Sequence, residues 1–264
     1  MHKKPITASL AVLAAVAIAA CGGADAPTTG GTTPDPATPA AAAAIDPASI
    51  ANPGTIGGAI NFGGDAPEPQ LLQMAADPFC VTAHGGAEVV SQRVVVNDNG
   101  TLRYVFVYIK EGLEGTFTTS GTEVELSQEG CMYMPHMIGL QTNQTLSIVN
   151  NDDSLHNINA RPSAAGNDPF NFAQPVKGMT TNVTFAAAEI IPVKCDVHPW
   201  MQAYIGVTNH PYFAVSGEDG SFTISNLPAG DYVVAAWHEQ LGEQSQNVTV
   251  GADESVEISF DFGG

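Results

Sequence analysis

Basic residues are scarce in this chain of 264 residues. Eight Lys and Arg stand against 27 Asp and Glu, so the formal net charge is −19. Proteins that bind nucleic acid need a basic face to displace counterions from the phosphates, and anionic lipid surfaces also attract basic segments. The composition therefore argues against a nucleic-acid-binding function and against a docking surface for anionic lipids.

Aromatic side chains are also few, at 7% of the residues, although hydrophobic residues make up 44%. That hydrophobic share is large enough for a buried core, so the chain is not globally disordered. The length allows one or two domains. The 27 Gly and 18 Pro indicate many turns and few long helices.

The first twenty residues have the pattern of a targeting signal. Lys3 and Lys4 precede an apolar run, Leu10–Ala20, which is shorter than the ~20 residues that span a bilayer. The run ends at Cys21 in a pattern that resembles a bacterial lipobox. Residues 1–20 are therefore predicted to be a lipoprotein signal peptide, with Cys21 as the lipidated residue. The alternative is an ordinary signal peptide followed by a chance cysteine.

Lipidation predicts a location in the cell envelope of a bacterium. The protein would be lipid-anchored, and it would face the periplasm or lie at the outer membrane. Gly22, in place of an Asp, resembles the sorting rule for outer-membrane lipoproteins. Residues 21–53 consist almost wholly of Ala, Thr, Pro, Gly and Asp without apolar periodicity, which predicts a disordered tether between the membrane and the folded part.

From Gly54 onward, short β-rich runs alternate with turn residues. Polar and apolar residues alternate clearly in Thr122–Leu126 and Ser255–Phe262, and Val89–Val96 is a further predicted strand. About a dozen such runs predict an all-β fold built of sandwiches. The helix signal is weak, and Pro69–Ala76 is predicted to form one short turn.

The cysteine count leaves one thiol over. With one cysteine assigned to lipid, Cys80, Cys131 and Cys195 remain, and disulfides are permitted outside the cytoplasm. The simplest interpretation pairs Cys80 with Cys131 and leaves Cys195 to bind something. An alternative uses the stretch Cys131–Met137, in which the thiol, the thioethers and His136 would bind a second Cu(I) ion.

Cys195, His198 and Met201 place a thiolate, an imidazole and a thioether within seven residues. Copper accepts all three donors, and a second His with a weak axial Met completes a type 1 electron-transfer site. The Cys can end one strand while the His and Met lie on the turn beyond it. His156 is the predicted second imidazole, because it follows a strand that ends at Asn150 and a polar turn.

The pattern Cys-x-x-His-x-x-Met of Cys195–Met201, with Pro after the His, resembles the ligand loop of amicyanin-type cupredoxins. The resemblance covers residues 122–208. It implies an eight-stranded Greek-key sandwich with one type 1 copper that cycles between Cu(II) and Cu(I). His156 and Asn157 resemble the family's first ligand and the polar residue that hydrogen-bonds to the ligand loop. Lys177–Phe185 resembles the strand that enters the Cys.

The chain departs from the family pattern at two positions. Asn143 stands where the family usually has Gly, and Asn tolerates a positive φ. Val197 stands where the family often has Pro, and Pro199 would partly stiffen the loop instead. Trp200 lies beside the loop, where it would shield the copper edge or form a docking surface.

A second resemblance concerns the end of the chain. Asp219–Tyr232 resembles part of a carboxypeptidase-regulatory or prealbumin-like module, and Gly54–Phe62 resembles the opening strand of the same module. This predicts a small second β-sandwich at residues 209–264. Residues 54–121 form an N-terminal β segment, and either they belong to that module, interrupted by the cupredoxin part, or the C-terminal sandwich is separate.

These patterns favour a membrane-tethered blue copper protein that carries single electrons between redox partners. Its acidic surface would recruit a basic partner such as a c-type cytochrome. The alternatives are a copper storage or handling lipoprotein, and a non-redox scaffold with carbohydrate or protein contacts. Because no catalytic motif stands out, an enzyme is not expected. His210 and His238 are predicted to be satisfied polar groups of a core or interface.

Overall fold

The computed structural model describes residues 43–263. Within this range nearly all regular elements are strands, which confirms the predicted all-β class. The strands are β1 (Gly54–Phe62), β2 (Phe106–Glu111), β3 (Val124–Glu129), β4 (Met132–Met134), β5 (Met137–Gln141), β6 (Leu146–Asn150), β7 (His156–Ala160), β8 (Phe170–Gln174), β9 (Thr180–Val183), β10 (Glu189–Lys194), β11 (Gln202–Thr208), β12 (Phe213–Val215), β13 (Ser221–Leu227), β14 (Gly230–His238), β15 (Gly242–Val250) and β16 (Ser255–Phe262). The helical elements are α1 (Pro78–Ala83) and the 3-10 helices Pro47–Ser49 and Met74–Ala76.

Strands β3 to β11 form a sandwich of two sheets, which we call the central sandwich. One sheet has the order β5-β11-β10-β7-β8, and the other has the order β4-β3-β6-β9. Fully buried side chains from both sheets, among them Leu126, Ile148, Ile158 and Ile205, form its core. The turn between β5 and β6 contains Asn143 at a φ of 62°, which is the conformation that its side chain was expected to tolerate.

The remaining strands form the outer sandwich, with sheets β13-β1-β16 and β12-β2-β14-β15. Strand β1 runs antiparallel to β13 and parallel to β16. The segment before the central sandwich and the segment after it therefore build one sandwich together. Its core follows the period-2 pattern of the sequence, since Phe222 and Ile224 of β13 and Phe260 and Phe262 of β16 are buried while their neighbours are exposed.

The two sandwiches pack directly on each other. Gly206 of β11 and Gly139 of β5 are register partners, and Phe106 of β2 lies over both. A Cβ atom on Gly206 would stand 2.6 Å from the Phe106 ring, so only glycine allows this approach. Beside this contact, His136 and Glu239 form a buried pair between the two sandwiches.

The start of the ordered chain differs from the prediction. The predicted signal peptide, residues 1–20, and the predicted lipidation site, Cys21, lie outside the described residues. The predicted tether, 21–53, is described from residue 43 on, and there Ile45 forms a β-bridge with Phe117. The Ile45 side chain packs against the core of the outer sandwich, so the folded part begins before residue 54. No helix in residues 43–263 is long and apolar enough to cross a membrane.

The predicted strand Val89–Val96 forms isolated bridges instead of a ladder. Val90 bridges to Leu71, and Val96 bridges to Leu102. The two ends of the segment thus meet different partners, and a continuous strand cannot form. Strand propensity in the sequence does not reveal which edges are available for pairing.

The strand that enters Cys195 is β10, whereas the prediction placed it at Lys177–Phe185. That segment contains β9, which pairs with β6 in the opposite sheet. The sequence of β10 contains Pro192, and a proline within a run argues against a strand. The short helical turn predicted at Pro69–Ala76 contains the 3-10 helix Met74–Ala76, with α1 after it.

Candidate metal centre

Four predicted ligands lie at one end of the central sandwich. His156 is the first residue of β7, and Cys195 directly follows β10, which pairs with β7. Strands β10 and β11 are antiparallel neighbours, so residues 195–201 form the hairpin loop between them. The backbone N–H of Cys195 donates to Met201 O at 3.1 Å, and that of Met201 donates to His198 O at 2.9 Å. These two bonds close the loop and turn its side chains toward the end of β7.

Three donor atoms, one from β7 and two from this loop, come together at this end of the sandwich. The Nδ1 atoms of His156 and His198 lie 3.0 Å apart, and Nδ1 of His198 lies 3.9 Å from Sγ of Cys195. Ligand atoms of all three residues lie within 4.8 Å of one another. The three side chains are almost fully buried, and Cys195 is the one free cysteine in residues 43–263. The His198 backbone N–H also donates to the Cys195 sulfur at 3.3 Å.

A carboxylate binds each imidazole at Nε2, the nitrogen that faces away from the other ring. Nε2 of His156 lies 2.8 Å from Oδ2 of Asp152, and Nε2 of His198 lies 3.0 Å from Oδ2 of Asp77. An ionised carboxylate only accepts hydrogen bonds, so Nε2 carries the proton in both rings. In a neutral imidazole this leaves Nδ1 with its lone pair, directed at the other ring and at Cys195.

The electrostatics of the site favour the thiolate. Burial alone would raise the pKa of the Cys195 thiol, but its interactions with His156 and His198 outweigh this and lower the pKa to about 6. Burial would lower the pKa of both histidines, but hydrogen bonds with Cys195 and with the carboxylates raise it. The hydrogen bond from His198 lowers the pKa of Asp77. Cys195, His156 and His198 therefore share protons, and a bound metal ion would displace them.

The donor set fits a soft or borderline metal ion. The Cys195 sulfur and one nitrogen of each imidazole already lie close together, and a metal ion bound among them would take the place of the shared protons. The Met201 side chain is fully buried in the same core as Cys195. Thiolate, imidazole and thioether together are the donors that copper accepts in type 1 sites.

Asn157 and Trp200 support the loop. The Asp196 backbone N–H donates to Oδ1 of Asn157, which ties the ligand loop to β7. The indole N–H of Trp200 donates to Cys131 O at 3.0 Å, and its ring centroid lies 5.2 Å from that of His198. Trp200 is half-buried, so part of its ring reaches the surface beside the site.

The structure joins Cys80 and Cys131 in a disulfide, with an S–S distance of 2.05 Å. Cys131 therefore offers no thiol to the Met-rich stretch that was considered as a second Cu(I) site. His136 in that stretch is paired with Glu239, and Tyr133 donates its hydroxyl to Asn157 O. In this arrangement the stretch contributes packing and hydrogen bonds.

The other two singled-out histidines lie away from the centre. Nε2 of His210 donates to Ile109 O at 2.8 Å, and its Nδ1 accepts from Tyr212 N–H. Nδ1 of His238 accepts from Gln240 N–H at 3.2 Å. Burial lowers the pKa of both His210 and His238 to about 4, so both are neutral at pH 7.

Sequence reasoning did not find the two carboxylates. Asp152 had a readable signal, because it lies in a polar turn four residues before His156. Asp77 had the signal of a helix cap, because it precedes Pro78 at the start of α1. Its contact with His198 joins residues 121 positions apart, and no local pattern predicts that.

A family model matches part of the chain. The model described as polysaccharide lyase family 4, domain II, matches residues 183–258. The match begins at the end of β9 in the central sandwich and ends within β16 of the outer sandwich. No curated protein matches the chain.

Several solved structures of copper proteins are similar to part of the chain. A Cu-containing nitrite reductase from Thermus scotoductus is 20% identical over 36% of this chain and 24% of its own length, with a TM-score of 0.31. A purple cupredoxin from Nitrosopumilus maritimus is 21% identical over 29% of this chain and 82% of its own, with a TM-score of 0.26. Amicyanin from Paracoccus versutus is 20% identical over 38% of this chain and 96% of its own, with a TM-score of 0.30. At these values the likeness carries no argument about function, which depends on the donor atoms described above.

Proposed function

We propose that residues 122–208 form a cupredoxin domain that holds one type 1 copper ion on His156, Cys195, His198 and Met201. The protein would carry single electrons between redox partners, and the proposal includes no enzymatic reaction. One observation carries it, namely that a thiol and two imidazole nitrogens lie within 4.8 Å of one another in a buried site. Copper bound there would supply a one-electron Cu(II)/Cu(I) couple.

Each residue has a separate task in this proposal. Cys195 provides the thiolate, and its lowered pKa keeps that form available at neutral pH. His156 and His198 provide Nδ1 lone pairs, while Met201 provides a weak thioether donor from the core. The bond from Asp196 N–H to Asn157 fixes the loop. A fixed loop suits electron transfer, because little of the chain has to move when the charge changes.

The partner and location remain part of the proposal. The net charge of −19 would attract a basic redox protein such as a c-type cytochrome by electrostatic steering. The half-buried Trp200 would offer electrons a way to the surface. A lipid anchor at Cys21 would keep the protein in the bacterial envelope, periplasm-facing or at the outer membrane.

We assign the outer sandwich a structural role. Its resemblance to a carboxypeptidase-regulatory or prealbumin-like module, from Asp219–Tyr232 and Gly54–Phe62, implies support or binding rather than catalysis. Strand β1 lies between β13 and β16, so this sandwich joins the segment before the central sandwich to the segment after it.

An absorption spectrum of the full chain with Cu(II) tests the proposal. We expect an intense band near ~600 nm that disappears on reduction and is missing in Cys195→Ser. His210→Gln is the matched control, because His210 lies away from the proposed ligands, where its ring binds Ile109 O. Tight Cu(I) binding without this band would instead indicate copper storage or handling. A protein without stoichiometric copper or colour would support the scaffold interpretation.

A further inference from the structure

Asp77 divides its two carboxylate oxygens between a helix and the metal centre. Oδ1 accepts from the Phe79 N–H at 2.8 Å and so caps α1. Oδ2 lies 3.0 Å from Nε2 of His198 and accepts from the Ser154 hydroxyl at 3.1 Å. Ser154 lies two residues before His156. One carboxylate therefore connects the two loops that present the imidazoles.

The segment that carries Asp77 covers this end of the central sandwich without belonging to either sheet. We call residues 72–91 the cap segment. Leu72 N–H donates to Val89 O at 2.8 Å, which closes the segment on itself. Leu72, Phe79 and Val89 pack against the core of the central sandwich. The Cys80 disulfide fastens α1 to the β3–β4 turn.

That turn also holds the other imidazole. The backbone N–H groups of Gly130 and Cys131 donate to Asp152 at 2.8 and 2.7 Å, and Asp152 in turn binds His156. The disulfide thus connects two parts of the site. At one end is the β3–β4 turn, which binds Asp152 and through it His156, and at the other end is α1, whose cap residue Asp77 binds His198. His198 is only 2% exposed under this cover, so solvent barely reaches its ring.

We propose that Asp77 is a positioning residue for His198 and that the cap segment closes the metal centre. This inference rests on the proposed copper function. Asp77 fixes the Nε2–H tautomer of His198, turns Nδ1 toward the metal and strengthens it as a donor. Because the cap segment lies over this ring, bound copper leaves the site only when the segment lifts.

The test compares Asp77→Asn with Asp46→Asn in the full chain. Asn caps helices as well as Asp does, so α1 keeps its start, but its single amide oxygen then serves the cap and only its NH2 group faces His198. Asp46 is the matched control, because it caps the 3-10 helix Pro47–Ser49 through Ala48 N–H and contacts no imidazole. Asp77→Ser is a second variant, which caps α1 but is too short to reach His198.

Two measurements decide the inference. Competition with a Cu(I) chelator is expected to show about 10- to 100-fold weaker binding and faster copper loss in both Asp77 variants, with Asp46→Asn unchanged. Nitrogen-15 NMR of the metal-free protein is expected to show His198 protonated at Nε2 in the parent and Asp46→Asn, but a mixture of tautomers in Asp77→Asn. Equal affinities and equal tautomers in all proteins would overturn the inference. If the parent binds no copper, the proposed function fails, while the NMR result still decides whether Asp77 positions His198.

Discussion

His156 and His198 face each other through their Nδ1 atoms at 3.0 Å, and each ring is held at Nε2 by a different carboxylate. Two unprotonated nitrogen lone pairs at this distance repel each other. A proton or a metal ion between the rings removes the repulsion. The fold therefore holds the two Nδ1 atoms close enough to share a proton or a metal ion.

Asp152→Asn is expected to lower the free energy of unfolding by about 2 kcal/mol, because a buried carboxylate that accepts three hydrogen bonds loses part of its acceptor capacity. Asp153→Asn is the matched control. Its side chain is 72% exposed and pairs only with Lys177, so its replacement should change stability little. Urea unfolding of the metal-free variants measures both, and equal effects at the two positions would contradict the assigned role of Asp152.

Acidification from pH 6.5 toward pH 4 is expected to destabilise the protein through His210 and His238. Their pKa values of about 4 in the folded state lie below the value of about 6.5 in an unfolded chain. The unfolded state therefore binds more protons in this window. The free energy of unfolding then decreases as the pH is lowered, by up to about 1.4 kcal/mol per pH unit for each histidine. The lowered pKa of Asp152 affects stability only at more acidic pH.

Denaturant unfolding at a series of pH values tests this dependence. His210→Gln and His238→Gln should each show a shallower fall in the unfolding free energy between pH 6.5 and 4 than the parent does. An unchanged slope in both variants would show that other groups cause the acid sensitivity.

Gly206→Ala is expected to destabilise the contact between the sandwiches by about 1–3 kcal/mol, since the new Cβ would overlap the buried Phe106 ring. The ring is buried and stacks on Tyr108 at 5.2 Å, so a shift of the ring would disturb that contact as well. Gly121→Ala is the matched control, with no atom within 4 Å of its Cβ position. Thermal and urea unfolding should separate the two variants, and equal stability would mean that the interface yields easily.

The proposed ligands were readable because most of them lie in one short loop. Cys195, His198 and Met201 occur within seven residues, and a hairpin loop brings such neighbours together without any long-range information. His156 required more, namely that its strand lies beside the one that enters Cys195. The structure gives this relationship, with Lys194 opposite Asn159.

Other features depend on contacts that no local pattern encodes. Asp77 could be read as a helix cap, but its distant partner could not. Val89–Val96 has strong strand propensity, yet its ends meet different neighbours. Strand β10 was hidden by Pro192, which the sheet tolerates at that position. Period-2 alternation, by contrast, predicted β16 within its bounds, since that pattern depends only on one face being buried.

The position of β1 between β13 and β16 has a consequence for the order of folding. Asn61 and Asp261, hydrogen-bonded across β1 and β16, lie 200 residues apart. Because synthesis proceeds from the N-terminus, β1 is made first, and its partners β13 and β16 are made only after the central sandwich. The strands of the central sandwich are all complete before either partner exists, and their shorter loops close at lower entropic cost. The central sandwich, which carries the proposed copper site, is therefore able to assemble first. The outer sandwich is completed only later, when β16 pairs with β1.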